Sequence, residues 1–259
     1  MTGPVGSSFL MEWHKLRPLH KTSRTVIVAV LLAVSVSAAV AAAMAAGADS
    51  MTSLQRLRFD SVGTSLQGVN AAVLAVAAFG VLTVTREYST GMIATTFLAQ
   101  PSRLRVLAAK LGTHSAVALV SGALACVAAF AVGQALLGAG GLGVGWDAAD
   151  LPRALGAGAI YLVLICAWGV AIGALTRSSS SAIIWLATLL VVAPVVIQIL
   201  PESVVHAAGR WLPSQIGMHA MATRPDPHSF GAWAGLAVLA GYVVVTLAAG
   251  AWRMARTDP

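Results

Sequence analysis

The sequence has few charged residues and few cysteines. Only 10% of its 259 residues are charged, whereas 58% are hydrophobic. A chain with so few charged residues cannot cover a water-soluble fold of this size with polar groups. Its natural solvent is therefore lipid. The composition therefore predicts a polytopic membrane protein.

The motifs of several function classes are also missing. Lysine occurs only as Lys15, Lys21 and Lys110, and none follows a glycine, so the phosphate-binding loop of ATPases is absent. No Asp or Glu lies within a long apolar run. Proton or sodium coupling usually needs an ionisable group in the membrane, so a secondary transporter is disfavoured. The sequence also has no H-E-x-x-H or G-x-S-x-G motif that would indicate an intramembrane enzyme.

No catalytic, cofactor-binding or metal site is predicted in this chain. Cys126 and Cys166 lie in apolar runs without a nearby ligand partner, and no pair among the six histidines has the i, i+4 spacing of a helical zinc site. The basic residues lie between apolar runs, where they orient a membrane protein and meet anionic headgroups. We therefore expect lipid contacts and no nucleic-acid partner.

Six apolar runs are long enough to cross a bilayer. They cover about residues 26–46, 68–85, 111–137, 154–175, 182–200 and 230–252. The first run is longer than the apolar part of a usual signal peptide, the competing interpretation. Residues 5–17 place Phe9, Trp13 and Leu16 on one side, a pattern typical of an interfacial helix. We predict an all-α membrane protein with six transmembrane helices in a single domain, residues 1–259.

The basic residues also predict the orientation. With both termini in the cytoplasm, the inner segments hold eleven of the sixteen Lys and Arg residues, and the outer segments hold five. The net charges are then +8 inside and −1 outside. This asymmetry follows the positive-inside rule and favours two cytoplasmic termini.

Four further features are expected in this six-span protein. Gly169 and Gly173 form a small-xxx-small face for close helix packing, and Pro194 predicts a kink in the fifth span. Asn70 is expected to hydrogen-bond another helix, with the lining of a path as the alternative. Residues 201–229 are predicted to form a partly ordered outer segment.

A charged interruption at residues 86–110 separates the second and third spans. Ser89 or Thr90 is suited to begin a short helix there, and Pro101 is suited to end it. At about 100° per residue, one side of this helix is an apolar patch with polar borders. Its members are Met92, Ile93, Thr96, Phe97 and Gln100. The patch can rest on lipid headgroups or dock into a partner.

The interruption resembles a loop in the permease subunits of type-2 ATP-binding-cassette (ABC) exporters. The matching residues are Glu87, Tyr88, Gly91, Pro101, Arg103, Arg105 and Lys110. The resemblance implies that the short helix is a cytoplasmic coupling helix, held by a separate ABC ATPase subunit. It also implies that residues 5–17 form an elbow helix. The implied docking residues are Glu87, Tyr88, Gly91, Met92, Ile93, Phe97, Arg103 and Arg105.

The resemblance further implies the assembly. ATP and Mg²⁺ would be bound by the partner ATPase, and a second permease would complete a homodimer or heterodimer in a bacterial cytoplasmic (inner) membrane. The resemblance does not identify the substrate, because the family exports drugs, peptides, lipids and polysaccharides. The alternative is an ATP-independent channel or scaffold protein, for which a docking helix flanked by basic residues has no evident use. A secondary transporter or an intramembrane enzyme is a weaker alternative still.

Overall fold

A computed structural model describes residues 19–90, 103–224 and 226–256. In these ranges the secondary structure is helical, without strands. Six of the helices found there are long and apolar enough to cross a membrane. The predicted all-α fold with six spans is thereby confirmed. The predicted interfacial helix at residues 5–17 lies outside the described residues.

Eleven α-helices are named here in chain order. They are α1 (Leu19–Ala46), α2 (Ser53–Arg58), α3 (Ser61–Ser65), α4 (Val69–Ser89), α5 (Arg103–Ala139), α6 (Leu151–Thr176), α7 (Ser179–Ala187), α8 (Ala193–Ile197), α9 (Glu202–Gly209), α10 (Pro213–Met221) and α11 (Ala232–Arg256). Spans one to four are α1, α4, α5 and α6, span five is α7 with α8, and span six is α11. Span four is the central helix, since it packs against spans two, three, five and six.

The bundle has two chemically different ends. The loop end carries Thr90, the turn between spans four and five, and the last turn of span six. The cap end carries α2, α3, α9 and α10, together with the connection between spans three and four. Each end has its own set of polar contacts.

The third span is longer than its apolar run. It contains 37 residues, which corresponds to about 55 Å of helix and exceeds the roughly 30 Å hydrocarbon core. It begins at Arg103, eight residues before the predicted start, so the charged end of the predicted loop is helical. At the other end, Gly141 has φ 68° and the Leu142 amide donates to the Leu137 carbonyl, which is a Schellman ending.

Spans two and four approach closely through glycines. A Cβ atom on Gly169 would collide with the Ala77 carbonyl oxygen, and one on Gly173 would lie 3.0 Å from the Val81 carbonyl oxygen. Gly80 of span two meets the Cys166 backbone in the same way. Small residues allow two helix backbones to approach each other in lipid, where packing drives association.

Replacing Gly169 with Ala is therefore expected to destabilise the bundle by about 1–3 kcal/mol, because the added methyl group has no space. Gly156 is the matched control on the same helix, since nothing lies within 4 Å of a Cβ there. Gly156→Ala should be neutral or slightly stabilising, because Ala favours helix. Unfolding by SDS titration in mixed micelles measures both variants. Equal stability of the two variants would contradict the close approach.

The fifth span contains an irregular turn next to Pro194. Residues Thr188–Val192 form a π-helical turn between α7 and α8. Proline has no amide hydrogen and its ring crowds the preceding turn, and a π-turn is one way in which a helix accommodates such a disturbance. The sequence predicts a kink at this place, and the structure has the π-turn there.

The segment between spans five and six is more ordered than the sequence suggests. It contains α9 and α10, and α10 packs against spans four and six. Pro213 occupies the first turn of α10, where its missing amide hydrogen costs nothing. The helix α10 thus lies over the cap end of the central span.

Candidate functional site

A buried ion pair joins spans two and three at the loop end. Lys110 Nζ lies 2.7 Å from Glu87 Oε1, and the two residues are 3% and 8% exposed. Glu87 lies in the last turn of span two, and Lys110 lies two turns into span three. The pair therefore connects the two helices that enter and leave the segment 91–102.

The lysine is also held by backbone and ring contacts. Its ammonium lies 3.5 Å from the Thr83 carbonyl oxygen. Its own carbonyl oxygen is 2.9 Å from Nδ1 of His114, one turn further along span three. The His114 ring in turn lies 5.2 Å from the ring of Phe79 on span two. The contacts with Glu87 and Thr83 hold the side chain of Lys110 between the two spans, whereas His114 contacts only the Lys110 backbone.

Tyr88 connects span two to the turn after span four. The Arg177 guanidinium lies 5.3 Å from the centre of the Tyr88 ring, which is a cation–π distance. Arg177 ends α6 in the left-handed conformation, with φ 58°. It also donates to the Arg253 carbonyl at 3.4 Å, and Arg253 donates to the Leu175 carbonyl. The loop ends of spans two, four and six are thereby tied together.

A hydroxyl pair adds span five to this set. Ser179 Oγ donates to Thr85 Oγ1 at 2.6 Å, and Thr85 is buried in span two. Ser178 caps α7, because its hydroxyl accepts a hydrogen bond from the Ser181 amide. Span two is therefore the helix on which the loop-end contacts of spans three, four and five converge.

Span two continues to the residues that were suited to begin the short helix, and the short helix itself lies outside the described residues. Ser89 is the last residue of α4, and Thr90 is its C-cap. Both hydroxyls donate to the Arg86 carbonyl, at 3.0 and 2.8 Å. A hydroxyl near a helix end can serve either terminus, and here tertiary contacts at Glu87 and Tyr88 extend the preceding helix.

The predicted docking residues fall into three groups. Gly91, Met92, Ile93 and Phe97 lie outside the described residues. Arg103 begins α5, and Arg105 is exposed on the same helix. Glu87 and Tyr88 are occupied by contacts within the chain. The geometry thus favours a positioning role for Glu87 over direct pairing with a partner.

Sequence reasoning missed Thr85, Arg177 and Ser179 as part of this cluster. Each looks like an ordinary boundary residue, and only the packing of distant spans brings them to one place. Among the described residues, no group of three His, Cys, Asp or Glu side chains is placed to hold a metal ion.

Comparison with known families matches residues 69–252 to the family described as ABC-2 family transporter protein. The match begins at span two and ends in span six, so it includes Glu87, Tyr88, Lys110, Arg177 and Ser179 and stops one residue before Arg253. No curated protein matches the chain, and no solved structure does.

Proposed function

The chain belongs to the ABC-2 family of transporter proteins, and on that premise we propose that it is the permease subunit of an ATP-driven exporter, coupled to a separate ATPase. Membership makes it a membrane permease of the ABC type. The energy source, the partner and the direction of transport are the proposed part. The absence of a phosphate-binding loop in the sequence supports an energy source on another chain.

The buried Glu87–Lys110 pair is the observation that carries this proposal. It lies between the two helix ends that flank residues 91–102, so a force on that segment acts on both spans. If the two helix ends separated, each buried charge would lose its counterion. Their separation is therefore costly. A docked ATPase that moves the segment would thereby move spans two and three as one unit.

In this proposal the patch of Met92, Ile93 and Phe97 contacts the ATPase, and exposed Arg105 lies at the rim of that contact. ATP and Mg²⁺ are bound by the partner. A second permease, identical or related, completes the substrate path. The test is affinity purification from the native membrane in mild detergent, followed by identification of co-eluting proteins. Recovery of the chain without any ATPase, under conditions that preserve a known ABC complex, would contradict the proposal.

The proposal also places the loop end and both termini in the cytoplasm of a bacterial cell. Two exposed residues test this orientation in a background with buried Cys126 and Cys166 replaced by Ala. Arg105→Cys should be protected from an impermeant thiol reagent in intact cells, whereas Asp147→Cys should be labelled. Permeabilised cells provide the control, since both positions should then react. Labelling of position 105 from outside would overturn the orientation.

A further inference from the structure

A cleft of about 430 Å³ opens at the cap end, between the starts of spans four and six. Its volume falls within the range of about 300–1,000 Å³ that is usual for small-ligand sites. Asp150 directly precedes span four, and Arg153 lies in its first turn. Trp233 lies in the first turn of span six. The segment between α10 and span six supplies most of the remaining lining, including Arg224 and Asp226.

The cleft lies at the level of the lipid headgroups. Trp233 and Trp252 stand near the two ends of span six, and the two residues are 58% and 59% exposed. The rise between them along the helix is about 29 Å, which matches the roughly 30 Å hydrocarbon core. Tryptophan is enriched at both membrane–water interfaces. The Trp233 ring therefore marks the headgroup level at the cap end, and the cleft that it lines opens there.

An apolar stripe on span six continues from the cleft toward the bilayer centre. At 100° per residue, Ala237, Gly241 and Val244 fall within about 80° of Trp233 on the helix surface. All four residues are exposed, and nothing lies within 4 Å of a Cβ atom built on Gly241. The small residues at positions 237 and 241 thus leave a shallow groove between Trp233 and Val244. An acyl chain fits such a groove.

The charged groups of the cleft are of both signs. Arg153 and Arg224 supply two positive charges, and Asp150 and Asp226 supply two negative charges. Burial lowers the pKa of His219, an effect that outweighs the opposing charge of Asp226, so this ring is neutral at pH 7. The four charges therefore sum to zero. A ligand that carries one charge of each sign is matched here, whereas a ligand with a single charge meets repulsion from one of the two pairs.

The carboxylates of the cleft are accessible to a ligand. The side chains of Asp150 and Asp226 are 58% and 42% exposed. Asp150 Oδ1 lies 3.4 Å from Nε of Arg153, and Asp226 Oδ2 lies 3.9 Å from Nε2 of His219. Both contacts are long, so each carboxylate has capacity for a hydrogen bond from a ligand. A primary ammonium group has three donors for such acceptors, whereas a quaternary ammonium group has none.

The Arg224 guanidinium is positioned to donate to a phosphate. Its Nε and Nη2 atoms donate to the carbonyl oxygens of Phe59 and Leu57, which hold the group in place. Its Nη1 atom has no acceptor among the described residues, and Arg224 is exposed. Hydrogen bonds from arginine to phosphate are charge-assisted and therefore stronger than neutral ones.

We propose that this cleft binds the headgroup of a zwitterionic phospholipid with a primary amine, namely phosphatidylethanolamine, from the leaflet at the cap end. Arg224 donates to the phosphate, and Arg153 adds a second positive charge nearby. The carboxylates of Asp150 and Asp226 accept hydrogen bonds from the ammonium group. One acyl chain lies along the stripe on span six. The site goes beyond the proposed export function and does not depend on the source of energy.

Native mass spectrometry of the purified full-length chain tests the headgroup. It measures which lipid binds first from an equimolar mixture of phosphatidylethanolamine, phosphatidylcholine and phosphatidylglycerol. The unaltered chain should prefer phosphatidylethanolamine about 3- to 10-fold over each of the others, which is the effect of one or two partly exposed ion pairs. Equal binding of the three lipids would overturn the proposal.

Replacing both carboxylates should reverse this order. Asp150→Asn with Asp226→Asn leaves the two arginines unbalanced in a cleft of nearly unchanged shape, so anionic phosphatidylglycerol should bind first. Asp49→Asn with Asp147→Asn is the matched control, because it makes the same change in net charge at exposed positions elsewhere on the cap end. The control should keep the original order. A cleft variant that also keeps it would contradict the proposal.

Arg224→Gln tests the phosphate contact. It should lower the binding of phosphatidylethanolamine and phosphatidylglycerol alike, about 3- to 10-fold, because both lipids carry a phosphate. Arg58→Gln is the control, since Arg58 lines a neighbouring cleft of about 630 Å³ instead. Unchanged binding in Arg224→Gln, or an equal loss in Arg58→Gln, would assign the phosphate to another place and overturn this site.

A photoactivatable phosphatidylethanolamine locates the bound lipid. With the reactive group in the upper part of one acyl chain, the crosslinks should map to span six between Trp233 and Val244. Excess unlabelled phosphatidylethanolamine should remove them at least several-fold better than excess phosphatidylcholine. Crosslinks spread evenly over the lipid-facing surfaces of all spans would indicate general lipid contact and would overturn the site.

Discussion

Replacing Phe97 with Ala is expected to reduce recovery of the partner ATPase about 5- to 150-fold at equal membrane abundance of the permease. The expected value follows from the loss of an aromatic anchor at an interface, about 1–3 kcal/mol. Six membrane spans already hold the protein in the bilayer, so loss of one lipid contact would have no comparable effect. Pull-down of the tagged chain, with quantification of the co-eluting ATPase, measures the change.

Thr95→Ala provides the matched control, because at 100° per residue position 95 faces away from the Phe97 side of the predicted short helix. It should retain the ATPase at the wild-type level. Wild-type recovery in Phe97→Ala as well would favour a connector that rests on lipid headgroups, and the docking proposal would lose its main support.

Loss of either partner of the buried pair should have the largest effect on stability. Glu87→Ala and Lys110→Ala each leave one charge without its counterion in a low-dielectric site, which costs about 3–5 kcal/mol. The two side chains are only 11% and 4% exposed, so solvent screening reduces this value little. SDS titration in mixed micelles measures the loss. Because the Phe97 patch is unchanged, the surviving folded protein should still bind the ATPase.

The charge-reversed double variant, Glu87→Lys with Lys110→Glu, distinguishes an ion pair from two unrelated effects. It should recover a large part of the stability that either single replacement loses. Arg105→Ala is the control for removal of a basic residue from the same helix, and it should be nearly neutral because Arg105 is exposed. A double variant as unstable as the single ones would show that the two charges do not act through each other.

The spans were predictable because each depends on a long apolar run, which is a local property of the sequence. The two ends of the third span differ in how well the sequence predicts them. Its end near Leu137 follows from the glycines after it, and the structure ends the helix at Ala139. Its start at Arg103 could not be found in the same way, because the pairing of Lys110 with Glu87 of span two is not visible in the sequence. Local polarity indicates a loop until that contact is known.

The candidate site at the loop end shows the same division between local and long-range information. Glu87 and Lys110 stand out in the sequence as charges at the margins of apolar runs. No sequence pattern indicates that these two residues, which are 23 positions apart, form an ion pair. Tyr88 and Arg177 are brought together by the packing of spans two and four. The sequence predicts a helix-to-helix hydrogen bond for Asn70 but does not identify Tyr161 as its partner.

The central claim is that this permease is driven by ATP hydrolysis on another chain. The most direct measurement is MgATP hydrolysis by two preparations from the same tagged permease, one washed to homogeneity and one purified with its co-eluting partner. We predict no turnover by the chain alone and steady turnover by the complex. Hydrolysis by the homogeneous chain, or none by a complex with an intact ATPase subunit, would contradict the account.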